Sequence, residues 1–438
     1  MSLMLAGAAP SASLTATDRQ AIVAAVGPAW AGADDQMLLA AAESYAAREL
    51  GQRVRPQHVD RRWSIQPPRR DIRAELATAR EQGRIAKWLA GLSPPFAGYR
   101  ALQAVRSRYA QHAEAGGWPS LEKGTALREG DRGIAVAHLR MRLTAEGFLR
   151  TPDGDLFDRE VTRALASFQD AHALETDGVL GPVTLAALNV SAKDRLAQID
   201  ANLERWRWLP RDLPSERLEV DVGGAEATLF RMGQPALVMR VIVGDPRHST
   251  PMFTSRIQGV IINPPWRVPA SITANEIVPR AKRDPGYLAR NGFTFVHGQL
   301  VQRPGPKNSL GVLKFDLPSP FGVYLHDTPS KSLFQRRGRA LSHGCMRLEK
   351  PRELAVLLLE SQGGTRQALH AAIDSGRTQR IALREPLPLY VLYWTVSAEP
   401  AGRVVFRPDV YGWDVKVNAA VAGRAAAAPA LANTDCAA

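Results

Sequence analysis

The sequence predicts a multidomain α+β protein: a helical first part, a small compact helical unit, and a mostly-β last part. Three observations carry this. A chain of 438 residues exceeds what one hydrophobic core organises, so two or three domains are expected. Runs of strong helix formers fill the first half and are cut by prolines. After residue 217 the pattern changes to short runs rich in Val, Ile and Phe, separated by glycine turns.

Residues 1–34 are rich in Ala, Gly and Ser and read as a flexible leader. Residues 35–120 read as a helical region, with Met37–Ala42 and Ala74–Ala79 as helix-forming runs. Its helices should stop at Pro56, Pro67-Pro68 and Pro94-Pro95, because proline disfavours helical geometry in the residue before it. Residues 126–190 form a separate unit of three short helices. Val136, Leu139 and Leu143 recur at helical spacing up to Gly147, and Val161, Leu165 and Phe168 do so again. Residues 191–217 read as a helical linker through Leu196, Ile199, Leu203 and Trp206. The β-rich part spans 218–418. Its strands are expected at Leu218–Val222, Ala227–Phe230, Val238–Val243, Gly259–Asn263, Pro388–Thr395 and Val404–Phe406. A helical insertion interrupts it at about 270–310, and residues 419–438 read as a disordered Ala-rich tail.

The chemistry-bearing residues lie in this last part. Cys345 sits in Leu341-Ser342-His343-Gly344-Cys345-Met346-Arg347-Leu348, and His326 ends the run Val323-Tyr324-Leu325. A thiol beside an imidazole has the parts of a nucleophile, since a paired imidazolium lowers the thiol pKa and populates the thiolate. The alternative is a small buried hydrophobe. The polar, flexible Ser-His-Gly context speaks against that, and Gly344 permits an unusual φ where a carbonyl would be attacked. Either His326 or His343 can serve as base; spacing alone does not choose between them.

Composition narrows the classes. The content is 45% hydrophobic and 23% charged, as in folded globular proteins. A net charge of +13 favours a polyanionic partner or surface, yet the chain shows no zinc-finger spacing, aromatic RNA-binding signature or basic recognition helix, so no nucleic acid partner is expected. The two cysteines, Cys345 and Cys436, give no disulfide framework and read as free thiols. No metal and no cofactor is expected: HExxH and paired-carboxylate spacings are absent. No run of 18 apolar residues marks a transmembrane span, and Met1–Gly7 lacks the features of an export signal.

The stretch from Tyr324 to Arg347 resembles the signature of the L,D-transpeptidases with a YkuD-type catalytic domain: a His, a spacer, then Ser-His-Gly-Cys, a hydrophobic residue and Arg. Ile262–Pro269, Asp284–Leu288 and Arg303–Gly311 are similar to the large YcbB-like branch, and the likeness covers roughly residues 35 to 415. Residues 126–190 resemble a peptidoglycan-binding module through Phe168-Gln169, Asp177-Gly178 and Gly181-Pro182. The resemblance implies a helical scaffold domain, a peptidoglycan-binding-like domain and a mostly-β catalytic domain with a capping insertion. It also implies a periplasmic or cell-envelope location, no cofactor, peptidoglycan stem peptides as donor and acceptor, and carbapenems as covalent inhibitors.

On that resemblance Cys345 is the nucleophile and His326 the base, oriented by the backbone carbonyl of Asp327, with the Asp327 carboxylate as the alternative. His343 is a plausible second base. Backbone N–H groups near Gly344 and Cys345 would form an oxyanion hole. Tyr324, Ser342, Arg347 and Trp266 would shape the substrate groove, Arg347 being equally an ion-pair residue. The implied reaction is 3→3 peptidoglycan cross-linking with release of the donor's terminal D-Ala. A peptidoglycan amidase or endopeptidase on the same fold, or a wall-binding scaffold with an unreactive thiol, are the alternatives.

Overall fold

The computed structural model describes residues 13–423. Cys436, the start of the expected leader and most of the expected tail lie outside the described residues.

The helical part begins earlier than expected. Thr15 caps a helix at Ala16–Val26 by accepting from the Asp18 amide. Ile22 is fully buried with Leu38, Ala42 and Ala46 of the next helix, Asp35–Glu49, and Arg19 pairs with Asp35. The leader over 1–34 is therefore corrected from residue 14 onward: one cap and one apolar anchor outweigh the small-residue composition. Pro56 opens a short helix at Pro56–Val59 rather than ending one, where its missing N–H costs nothing.

The expected linker is a buried strut. Helix Ala192–Arg207 packs along helix Ala97–Glu114, and Ile199 and Leu203 join Tyr99, Leu102 and Tyr109 with Val396 and Phe406 from the far end of the chain. Two of its polar residues find partners inside the protein. Asn202 Nδ2 donates to Thr395 Oγ1 at 2.7 Å and Arg205 pairs with Asp414 at 2.6 Å. Asp414 lies on helix Trp413–Val421, which runs past residue 418, so the tail does not begin at 419.

The small unit consists of helices Ile134–Ala145, Arg159–Ala171 and Pro182–Leu188. Val136, Leu139, Leu143, Phe157, Leu165 and Phe168 form its own core. Buried Gln169 donates to Asp177 Oδ1 (2.8 Å) and Val179 O (3.0 Å) and accepts from the Gly178 amide (2.8 Å), which fixes the 177–179 turn.

The last part is a nine-stranded sheet that closes on itself. In sheet order the strands are 340–342, 234–244, 346–348, 325–326, 313–316, 253–262, 379–392, 217–221 and 226–231, and the last pairs back onto 234–244. Closure buries Leu218, Val220, Val241, Phe253, Val260, Phe315 and Leu389 in one core. Two helices, Pro351–Glu360 and Arg366–Asp374, lie in a region expected to be mostly β. Residues 354–359 are apolar at every position, so neither the helical nor the strand period stands out. Residues 266–302 build an insertion: a three-stranded sheet (266–267, 299–302, 293–296) with helical turns between Ala270 and Arg290. It has a small core of its own, Val268, Ile272, Ile277, Phe293 and Leu300.

Candidate active site

The site is built where two short strands run parallel. Leu325–His326 pairs with Met346–Leu348, placing Arg347 opposite His326, and the Met346 amide donates to Tyr324 O at 2.9 Å. Cys345 therefore stands at the head of one strand, next to the strand that carries the histidine.

The loop before the thiol is rigid. Gly344 has φ +106°, a region that L side chains rarely adopt. Thr250 Oγ1 donates to Gly344 O (2.7 Å) and accepts from the Gly244 amide (2.9 Å), tying the loop to the end of strand 234–244. Gly244 has no room for a side chain: a Cβ there would stand 2.0 Å from His248 O and 3.0 Å from Gly344 Cα. Ser342 is buried; its hydroxyl donates to Cys345 O (2.6 Å) and accepts from the Gly344 amide (3.1 Å). That bond corrects one expectation, because the Gly344 N–H is already committed and does not point to an oxyanion.

Of the predicted site residues, Cys345, His326, His343, Ser342, Tyr324, Arg347 and Trp266 line one cavity of about 250 Å³. Its other walls come from the insertion, including Glu276, Arg280 and Tyr287. Cys345 is buried, 6% exposed. Asp327 turns away. Its carboxylate pairs with Lys331 at 2.6 Å and accepts from the Val312 amide at 3.0 Å, facing a different groove. Its backbone carbonyl instead meets His326 Nδ1 at 2.5 Å. The Asp327 carboxylate is therefore not the partner of the imidazole. A carbonyl only accepts, so this contact puts the proton on Nδ1 and leaves Nε2 with a lone pair.

Burial, helped by the nearby positive charges of Arg347, Lys314 and Lys331, pushes the His326 pKa down to about 3, against the opposing effect of the Asp327 carbonyl. The resting imidazole is neutral. This differs from the imidazolium expected from the motif, and the reason is the surrounding fold: a buried ring beside an arginine cannot hold a proton cheaply. Tyr324 packs on His326 (ring centroids 5.6 Å) and carries the Lys314 ammonium on its face at 3.9 Å. His343 Nε2 is 2.7 Å from Glu276 Oε1. Sequence reasoning missed Glu276, Arg280, Thr250 and His248. Each is an ordinary polar residue on a helix or loop, and no local pattern marks it.

A family profile described as the L,D-transpeptidase catalytic domain matches residues 215–366. Residues 215–366 are thus similar to an L,D-transpeptidase catalytic domain. Profiles for a peptidoglycan binding domain and a scaffold domain match residues 132–188 and 10–105. A Haemophilus influenzae protein assigned by name as an L,D-transpeptidase is 32% identical over 221 residues, 46% of this chain and 45% of that protein. The chain thus spans less than half the length of this relative. N-acetylmuramoyl-L-alanine amidase CwlM of Mycobacterium tuberculosis is 39% identical over 80 residues, 16% of this chain and 20% of its own length. Among solved structures, an L,D-transpeptidase from Stackebrandtia nassauensis is 12% identical with a TM-score of 0.24, covering 63% of this chain and 96% of its own. No helix among the described residues is long and apolar enough to cross a membrane.

Proposed function

We propose that this chain is a cysteine-dependent L,D-transpeptidase that forms 3→3 cross-links between peptidoglycan stem peptides at the cell envelope. One observation carries the reading: Cys345 and a neutral, Nδ1-anchored His326 open into the same cavity. His326 Nε2 takes the thiol proton as Sγ attacks the donor carbonyl that precedes the terminal D-Ala. The tetrahedral oxyanion falls to the Cys345 N–H. Collapse breaks the C–N bond; the leaving D-Ala amine takes the proton back from His326, and a thioester remains. The acceptor amine then attacks the thioester, His326 removes its extra proton, and the thiol is regenerated as the new amide forms. A neutral base suits this cycle, because proton transfer and attack are concerted in one buried site and no thiolate has to persist between turnovers. Arg347, Trp266 and Tyr324 supply a cationic and aromatic wall for a peptide bearing carboxylates. The helical unit at 126–190 would hold the wall polymer near the site.

Incubation with purified tetrapeptide stems should yield a cross-linked dimer with loss of one D-Ala, read by product mass. A carbapenem should add one drug mass to the protein. Cys345→Ala should abolish both while the far-UV circular dichroism stays native. Tripeptide alone, without dimer, would replace the transferase reading by a hydrolase. Dimer formation by Cys345→Ala would end the thiol mechanism.

A further inference from the structure

We infer that Glu276 is a positioning residue: with His343 it forms a latch that holds the insertion closed over Cys345. The inference rests on the proposed role of Cys345 only for its second readout. His343 was singled out from the sequence as a second base, but in the fold it has a different use. Its Nε2 faces Glu276 Oε1 at 2.7 Å, joining the insertion to the loop that carries the thiol. Its ring lies against His248, with centroids 4.7 Å apart, and His248 Nδ1 meets Asp245 Oδ1 at 3.0 Å. The Asp245 amide in turn donates to Ser342 O at 2.8 Å. His343 is thus braced by the main sheet on one side and grips the insertion on the other.

The insertion is suited to such a contact. Its core, Val268 to Leu300, is separate from the core of the closed sheet. Its base is fixed: buried Asn308 Nδ2 donates to the carbonyls of Pro264 (3.1 Å), Gln302 (3.2 Å) and Arg303 (3.0 Å). Glu276 lies at the other end, in a single π-helical turn, Thr273–Ile277. Such a turn holds one more residue than an α-helical turn and re-aims the side chains in it. Arg280 Nη2 stands 3.7 Å from the second Glu276 oxygen and Nη1 contacts Tyr287 OH at 3.5 Å, which orients the carboxylate from behind. Glu276, Arg280, Tyr287 and His343 all line the cavity that contains Cys345, so release of the latch enlarges the entrance to the thiol.

The test uses the full chain in a Cys436→Ala background, leaving Cys345 as the single thiol. First, labelling of Cys345 by a bulky maleimide is compared with labelling by iodoacetamide; this needs no catalysis. Glu276→Ala and His343→Gln should each raise the bulky-to-small ratio about two- to fivefold, the range that one partly exposed polar contact supports. The double variant should give no further rise, because both remove one interaction. Second, in carbapenem acylation Glu276→Ala should change the half-saturating drug concentration by a similar factor and leave the saturating rate within about twofold. Glu276→Asp should fall between Ala and wild type in both readouts. Unchanged labelling ratios, or effects that multiply in the double variant, would overturn the latch whatever the drug does. A saturating rate that falls about 100-fold in His343→Gln with an unchanged labelling ratio would return His343 to the chemistry. Absence of any adduct with the labelling result intact would count against the proposed function alone.

Discussion

Two buried histidines in this molecule have nearly the same electrostatics and opposite uses. His326 and His172 are both almost fully buried, both have Nδ1 on a backbone carbonyl (Asp327 and Phe168), and both are pushed down to about 3. Burial is the main cause in each, and an arginine contributes, Arg347 in one and Arg195 in the other. They differ in what lies beyond Nε2. His172 is stacked between Phe168 (3.9 Å) and Phe406 (5.4 Å), and its Nε2 has no hydrogen-bond partner among the described residues. His326 opens into a cavity shared with a thiol. A perturbed imidazole is thus not by itself a sign of catalysis. Space for a substrate and a nucleophile within it are what separate the two.

The sharpest way to break this comparison is to remove each ring. His326→Gln should slow acylation of Cys345 by about 10²–10⁴-fold, the usual contribution of a general base. His172→Gln should leave that rate within about twofold. Equal losses from both, measured by intact mass against time with carbapenem, would mean that His326 acts only through the fold.

The environment of His172 gives the next largest effect. Glu146 is buried and pairs with Arg142 at 2.8 Å while accepting from Tyr109 OH at 2.7 Å. Burial alone would raise the Glu146 carboxyl, but the Arg142 charge outweighs it and holds it below the ordinary range. Glu146→Ala leaves the Arg142 charge buried without that partner, so unfolding stability should drop by about 3–5 kcal/mol. Urea denaturation checks this; a change under 1 kcal/mol would show that the junction between the small unit and helix Ala97–Glu114 is loose. The same burial means that residues 126–190 do not come away cleanly. Tyr109 and Phe406 would lose their cover.

The smallest effect is on pH dependence. Both histidines have a folded pKa near 3, below the ordinary 6.5. Between those values the unfolded chain binds protons that the folded chain refuses. Stability from this source is complete above pH 6.5 and declines as pH falls toward 3. At pH 5 each ring should account for about 2 kcal/mol of loss relative to pH 7.5. Urea titrations at the two pH values should show His172→Gln losing less than wild type by about that amount. Identical losses would mean that His172 is protonated in the folded protein.

How much was legible can be judged residue by residue. The core of the small unit was readable, since Val136, Leu139, Leu143, Leu165 and Phe168 recur at the helical period and form one buried cluster. The strand delivering His326 and the positive φ of Gly344 followed from local sequence as well. Helix Ala16–Val26 was missed because composition masked its cap, and helix Pro351–Glu360 because continuous apolar sequence has no phase. The strut Ala192–Arg207 reads as a linker in the sequence because its polar residues find partners about 200 positions away.

The sequence by itself determined the division into helical and β-rich parts, the thiol, and the histidine nineteen residues before it, because these rest on local period and on residue chemistry. Only the tertiary structure decided the charge state of His326, the choice of the Asp327 carbonyl over its carboxylate, the use of the Gly344 amide, and the pairing of His343 with Glu276. Each of these depends on which groups from distant segments are brought within a few ångströms and on how much water is excluded there, and neither quantity is written in any local stretch of the chain.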